Sequence, residues 1–262
     1  MKDLKLYFRF IRIHMLSNLE YKGWWLMILT VLITTATDPI GTILLFVRFG
    51  NVGVWTVERI LLIYALAVTS YGLAEMFFRG FDYFPSKMIQ SGDFDRLLLR
   101  PRSLFVQAAV SFFHIHRAAR PVAGIAVIIW CLWRQGVAPT PVNIMILVLA
   151  LLGGLATYAG VLVMTSGIAF FTVKALDWIV VFTNGSYQVT RIPPDYMPPF
   201  LKRMFTFFMP MLVISYYPAA TISGWAVRPW LGWLALPAGL AFMCASLIVW
   251  RIGVRHYQST GS

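Results

Sequence analysis

Residues 142–164 read VNIMILVLALLGGLATYAGVLVM, a run of 23 residues without a single charged side chain. A helix of about 20 mostly apolar residues is long enough to cross the hydrocarbon core of a bilayer. The whole chain has the same character, since 59% of its 262 residues are hydrophobic and only 12% are charged. Soluble domains carry about 25% charged residues. The composition therefore predicts an integral membrane protein, and it argues against a soluble enzyme and a disordered chain.

Five more stretches on either side of this run are apolar enough to be membrane spans. The six predicted spans, numbered in chain order, cover residues 24–47, 58–78, 118–134, 142–164, 174–191 and 229–250. The pair Asp38-Pro39 is expected to break the far half of span 1. Residues 192–228 are half apolar and rich in proline, which predicts short helices dipping into the outer leaflet. The predicted fold is an all-α polytopic membrane protein, with one transmembrane domain over residues 1–262.

Lysine and arginine set the predicted orientation of the spans. With six spans both termini lie on one side, and a cytoplasmic N-terminus puts 15 of the 22 basic residues in cytoplasmic segments and seven in outer ones. Positive charge concentrates in cytoplasmic loops, so both termini are expected in the cytoplasm. The net charge of +12 is thereby explained without a nucleic-acid partner.

The first residues of the chain form an amphipathic pattern. On a helix over residues 2–20 the basic side chains Lys2, Lys5, Arg9 and Arg12 share one face. Such a helix is expected to lie in the cytoplasmic interface over about residues 1–22, with its basic face toward anionic lipid headgroups. An ordinary basic flank before span 1 is the alternative.

Sequence motifs for chemistry are missing. The chain contains no G-x-x-x-x-G-K-[ST] phosphate loop, no G-x-S-x-G elbow and no H-E-x-x-H helix. His114 and His116 would point apart on a helix, and Cys131 and Cys244 lie in apolar runs. We therefore expect no catalytic residue, no metal site and no cofactor on this chain. A membrane-embedded enzyme acting on lipids would need clustered His, Asp or Ser side chains, which the sequence does not offer.

Few carboxylates fall within the predicted spans, and Asp38 lies deepest, followed by Glu75. A charged group at membrane depth is costly, which makes each one a functional candidate. Asp38 could be the ion site of a secondary transporter or channel, or it could cap a helix break before Pro39.

Residues 80–104, between spans 2 and 3, are too polar to span and too apolar for a loose linker. Pro85 offers a helix start, Gly92 a break, and Asp93 a cap for a second short helix. We expect Phe94, Leu97 and Leu98 to fill a groove on a partner, inside a polar rim. That rim would consist of Asp93, Asp95, Arg96 and Arg100. A helix lying on the membrane surface is the alternative.

Span 4 carries small residues along one face. Gly153, Gly160 and Gly167 are spaced by seven, with Ala156 between them. Small residues let a neighbouring helix approach closely, so this face predicts helix packing, or alternatively the wall of a translocation path.

Three motifs, in order along the chain, resemble one known family. The stretch GDFDRLLLRP at 92–101 is similar to a G-x-[LF]-D-x-x-L-x-R-P pattern in certain ABC transporter permeases. The stretch ISYYPA at 214–219, and Gly53-x-Trp55 with Glu58, resemble two further segments of those proteins. They are six-span permease subunits of the type-2 exporter superfamily, and the similarity extends over nearly the whole chain.

This resemblance implies a function and partners. In that family the loop between spans 2 and 3 contacts a separate ABC ATPase, which implies that 92–101 couples ATP hydrolysis to transport. The segment between spans 5 and 6 forms outer re-entrant helices, which implies an outer gate at Tyr216, Tyr217 and Pro218. Two permease chains, identical or paralogous, pair above two ATPase subunits that bind the ATP. The resemblance thus implies an exporter subunit, without an ATPase site of its own, in a bacterial inner membrane.

Overall fold

The structure is a computed structural model that describes residues 15–16, 20, 22–100, 103–111, 114–172, 188–190 and 192–257. The predicted interfacial helix at 2–20 and most of predicted span 5 lie outside the described residues. Pro101, the last residue of the stretch 92–101, lies outside them as well.

The described part of the chain is helical apart from turns and one isolated bridge between Val52 and Trp55. Its long helices are α1 (Trp24–Phe49), α2 (Val57–Phe84), α5 (Ala119–Arg134), α6 (Pro141–Thr172) and α10 (Ala235–His256). Its short helices are α3 (Phe94–Leu98), α4 (Leu104–Val110), α7 (Pro199–Arg203), α8 (Met211–Ile214) and α9 (Tyr216–Ile222). Short 3₁₀- or π-helical segments cover Pro85–Ile89, Ile115–Ala118, Pro194–Tyr196, Met204–Phe208 and Pro229–Leu234.

Five described segments are long and apolar enough to cross a membrane, which confirms the all-α polytopic prediction. They contain α1, α2, α5, α6 and α10 and correspond to predicted spans 1, 2, 3, 4 and 6. Between residues 199 and 222 two helical segments, Pro199–Phe208 and Met211–Ile222, meet at a bend of 70°. This is the geometry of a broken span or a re-entrant pair, and it lies where short outer helices were predicted.

Helix α2 lies at the centre of the bundle. Of its most apolar 18-residue window 83% is buried, against 11% for α1. It packs on one side against α5 and on another against α6, which in turn packs along α10. Most apolar side chains of α1 point away from the described part of the chain, so lipid or another polypeptide has to cover them.

The predicted break in span 1 is wrong. Helix α1 continues through Asp38 and Pro39 without interruption. The Tyr64 hydroxyl of α2 donates a 2.8 Å hydrogen bond to Asp38 Oδ2, so the carboxylate is held by a neighbouring helix and does not cap a helix end. Proline removes a single backbone N–H, a loss that membrane helices tolerate.

Candidate functional site

The segment predicted to contact a partner forms a short helix, but its faces differ from the prediction. Gly92, with a left-handed φ of 74°, turns the chain before α3. Phe94 and Leu97 are 0% and 7% exposed, whereas Leu98 and Leu99 are 47% and 85% exposed. The expectation that Phe94 and Leu97 reach into a partner therefore has to be corrected. Both side chains point into this chain's own core.

Phe94 is surrounded by aromatic side chains from the ends of three long helices. Its ring centroid lies 5.4 Å from that of Phe84 at the end of α2 and 5.2 Å from that of Phe170 near the end of α6. The Tyr257 ring, directly after α10, is 4.7 Å away in an edge-on arrangement. Aromatic pairs in this geometry contribute about 0.5–1.5 kcal/mol each beyond their burial. This aromatic cluster fastens α3 to α2, α6 and α10.

The outward side of α3 is apolar at its centre and charged around it. Leu98 and Leu99 are exposed next to Arg96 and Arg100. Asp93 forms an ion pair with Arg96 at 3.0 Å. The Asp93 side chain makes no capping hydrogen bond to the α3 backbone, contrary to the sequence prediction. Asp95 is half-buried. We call Leu98, Leu99, Arg96 and Arg100 the docking face.

Glu75 and three arginines form an ion cluster that was not predicted from the sequence. Glu75 is only 2% exposed on α2, and its carboxylate accepts hydrogen bonds from Arg79, Arg117 and Arg120. The Arg117 bond measures 2.9 Å. Arg79 also pairs with Asp82 at 3.2 Å. The cluster joins α2 to the start of α5.

A close helix crossing places these charges together. A methyl group added to Gly72 of α2 would lie 2.8 Å from Pro121 Cδ, and one added to Gly124 of α5 would collide with Thr69. The two backbones touch only because both positions lack a side chain. One turn beyond Gly72, Glu75 then meets the arginines. The signal in the sequence was an acid at one end of a span together with two arginines three residues apart at the matching end of the next.

The segments at the opposite end of the bundle meet in an aromatic cap. Trp55 donates a 3.2 Å hydrogen bond from Nε1 to Asp195, and its ring lies 5.6 Å from that of Trp225. Tyr216 lies 6.2 Å from Trp55 and 5.5 Å from Trp225. The turn at Gly53, with φ 60°, returns the chain so that Trp55 faces inward. Residues of the resembled motifs thus meet around Trp225, which belongs to none of those motifs.

The predicted gate residues have different environments. Pro218 is buried in α9, Tyr216 belongs to the aromatic cap, and Tyr217 faces a groove of about 840 Å³. That groove runs between α6, α10 and residues 206–217, and it is lined mainly by apolar side chains. A gating role for the three residues stays a prediction.

The three glycines of span 4 lie against α10. A methyl group at Gly153 would collide with the Ala235 carbonyl, and one at Gly167 would lie 2.9 Å from the backbone N of Trp250. Gly160 faces the side chains of Phe242 and Ser246. These contacts correspond to the packing interpretation, and a place along a translocation path stays a prediction.

That the chain holds no metal site stays a prediction. In the part of the chain that the structure describes, no three His, Cys, Asp or Glu side chains come together closely enough to hold a metal ion. Asp38 is bonded to Tyr64, and its use by a coupling ion stays a prediction.

No curated protein and no solved structure shows significant similarity to this chain. The family described as ABC-2 family transporter protein matches residues 32–261. This match includes all five described spans except the first residues of α1, together with α3 and the aromatic cap. The chain therefore belongs to the ABC-2 family of transporter proteins.

Proposed function

We propose that this chain is the transmembrane subunit of an ATP-driven exporter, coupled to a separate ATPase through the docking face of α3. Membership of the ABC-2 family supports the transmembrane role. The export direction, a second permease chain (a copy or a paralogue) and two ATPase subunits are parts of the proposal. So are a bacterial inner membrane and cytoplasmic termini.

The observation that carries the proposal is the contrast between the two sides of α3, one exposed and one buried. One side presents Leu98 and Leu99 outward, and the other inserts Phe94 among the ends of α2, α6 and α10. Closely packed interiors transmit displacement because they have few voids to absorb it. A movement imposed on the docking face would therefore reach three spans through one aromatic ring.

ATP is assigned to the partner in this proposal. The sequence lacks a phosphate loop, and ABC-2 proteins are the membrane components of their transporters. We expect the purified chain alone to show no ATP hydrolysis. Hydrolysis that persists through purification to a single polypeptide would contradict this division of labour.

The docking face can be tested with paired variants of the full chain. We expect the double variant Leu98→Asp, Leu99→Asp to lose copurification with its co-expressed ABC ATPase and to lose transport, because apolar anchors at an interface centre carry most of its binding energy. Its thermal stability should stay near that of the unmodified chain, since both side chains are exposed. Val227→Asp, at a position near the opposite end that is 96% exposed, is the control and should change neither readout.

Phe94→Ala separates docking from transmission. Removing a buried phenylalanine costs about 3–5 kcal/mol of stability, so the variant should unfold at a lower temperature. Where it still folds, it should bind the ATPase through the intact docking face but transport poorly. Full ATPase binding by the Leu98→Asp, Leu99→Asp variant would show that the ATPase docks elsewhere.

A further inference from the structure

The ion cluster around Glu75 is not balanced in charge. Three guanidinium groups, those of Arg79, Arg117 and Arg120, share the two carboxylates of Glu75 and Asp82. Within the described residues one positive charge therefore remains without a counter-charge. An unbalanced cation next to hydrocarbon is costly, so an anion from outside the chain would stabilise the cluster.

The arginines also have hydrogen-bond donors to spare. A guanidinium carries five N–H donors, and Arg117 and Arg120 each donate to Glu75 through one nitrogen, Nη1. The Nε of Arg117 is buried and has no partner within the described part of the chain. The side chains of Arg117 and Arg120 are 21% and 20% exposed, so the described residues do not enclose either side chain completely.

The depth of the cluster indicates where such an anion comes from. Glu75 follows the start of α2 at Val57 by 18 residues, which corresponds to about 27 Å at 1.5 Å per residue. The hydrocarbon core of a bilayer is about 30 Å thick. Arg117 and Arg120 belong to the first turns of the span Ile115–Arg134. Both helices thus place the cluster near the boundary of the hydrocarbon, next to the headgroup region that holds the lipid phosphates.

We propose that Arg117 and Arg120 bind the phosphate of an anionic phospholipid at the boundary between α2 and α5. Guanidinium groups bind phosphate oxygens through strong, directional pairs of hydrogen bonds, and basic pockets between transmembrane helices bind anionic headgroups. The lipid phosphate supplies the missing negative charge, while Glu75 keeps the arginines in place. This site is independent of the proposed ATPase coupling and of the predicted interfacial helix.

The test measures lipid retained by the full chain. The chain is purified in a non-ionic detergent and mixed with phosphatidylglycerol and phosphatidylcholine of identical acyl chains, and bound lipids are counted by native mass spectrometry. The unmodified chain should retain phosphatidylglycerol in preference. Arg117→Gln and Arg120→Gln should each bind it about tenfold more weakly, the loss expected for a hydrogen bond to a charged group. Phosphatidylcholine retention should not change.

Two further variants separate a lipid site from a fold defect. Arg134→Gln removes the arginine that pairs with Glu58 at the other end of α5, and it should leave lipid retention unchanged. Asp82→Asn raises the charge of the cluster while leaving Glu75 intact, and it should strengthen phosphatidylglycerol binding about fivefold, as expected for one added charge near a membrane surface. A merely structural cluster predicts no such gain.

Several outcomes would overturn the proposal. Equal retention of both lipids, or unchanged phosphatidylglycerol binding in both arginine variants, would do so. If those variants aggregate, Asp82→Asn decides, and no gain in binding rejects the site. Displacement of phosphatidylglycerol by excess inorganic phosphate would show that the arginines take a free phosphate rather than a lipid. If the Arg117→Gln and Arg120→Gln variants lost copurification with the ATPase but still retained phosphatidylglycerol, the two arginines would bind the protein partner instead.

Discussion

Glu75 accepts hydrogen bonds from three arginines while almost completely buried, and this single carboxylate holds two spans together. Its removal would leave the guanidinium groups of Arg117 and Arg120 without their acceptor at the membrane boundary. Breaking a buried ion pair by removing one partner costs about 3–5 kcal/mol, because the other charge stays desolvated.

We therefore predict that Glu75→Ala lowers the free energy of unfolding of the full chain in detergent by about 3–5 kcal/mol. The matched control is Glu58→Ala, which removes the 3.7 Å pair with Arg134, whose side chain is half exposed. That control should cost no more than about 1 kcal/mol, because solvent screens such a pair. Similar melting temperatures for the two variants would mean that the cluster contributes little to stability.

The same residues show what could be predicted at this scale. The sequence alone shows that Glu75 is a costly charge within a span and that Arg117 and Arg120 are positively charged. It does not show their pairing, because this pairing requires the crossing at Gly72 and Gly124 that brings two separate helices into contact. Phe94 illustrates a second limit. An apolar stripe on a five-residue helix indicates that one face is buried, but it does not indicate whether the chain itself or a partner buries it.

At the scale of elements, α6 and α10 pack along a seam of small residues. Gly153, Gly160 and Gly167 on α6 face positions 239, 246 and 253 on α10, which are also seven residues apart and are occupied by Gly239, Ser246 and Gly253. Without side chains to interpose, the two backbones approach closely, and van der Waals contact supplies the association that water cannot drive inside a membrane.

The seam gives a graded prediction. At Gly153 an added methyl group meets the backbone of Ala235 and Leu236, whereas at Gly160 it meets only side-chain atoms of Phe242 and Ser246, which can move. Gly153→Ala should therefore destabilise the chain by about 1–3 kcal/mol, the usual cost of overpacking. Gly160→Ala should be close to neutral, because helix propensity gains about 1 kcal/mol.

Thermal unfolding of the purified variants checks this order. Gly41→Ala on α1, where no atom of the described residues lies within 4 Å of the added methyl group, reports the helix-propensity effect alone. Equal losses for Gly153→Ala and Gly160→Ala would show that α10 shifts along α6 to accept either side chain.

The positions of the long helices were predictable because apolar runs of about 20 residues have few other uses. The ends of these helices were harder to predict. Helix α2 extends to Phe84 and α6 to Thr172, beyond the predicted limits at 78 and 164. Hydropathy reports where the hydrocarbon ends, whereas backbone hydrogen bonding carries a helix on into the polar interface. Since α3 rests on Phe84 and Phe170, these extensions create the surface on which it packs.

At the scale of the whole molecule, the two ends of the bundle differ in chemistry. One end holds the aromatic cluster, the docking face and the ion cluster of Glu75, while the other holds the aromatic cap around Trp55 and Trp225. An ABC-2 protein needs an ATPase on the side where ATP is present. On the six-span topology predicted from the sequence, the positive-inside bias predicts that the end with α3 faces the cytoplasm, with 15 basic residues against seven.

This orientation is testable in intact cells with an impermeant thiol reagent. Cys131 is buried, and Cys244 lies in the span formed by α10, so replacing Cys244 by alanine leaves little background. A cysteine at the exposed position Ser86, just before α3, should react only after the cells are permeabilised. A cysteine at the exposed position Ala138, between α5 and α6, should react from outside. Each variant serves as the control for the other, because both residues lie in connecting segments and differ in the predicted side. Labelling of the Ser86→Cys variant in sealed cells would place α3 outside, beyond reach of any cytoplasmic ATPase, and would overturn the orientation together with the proposed coupling.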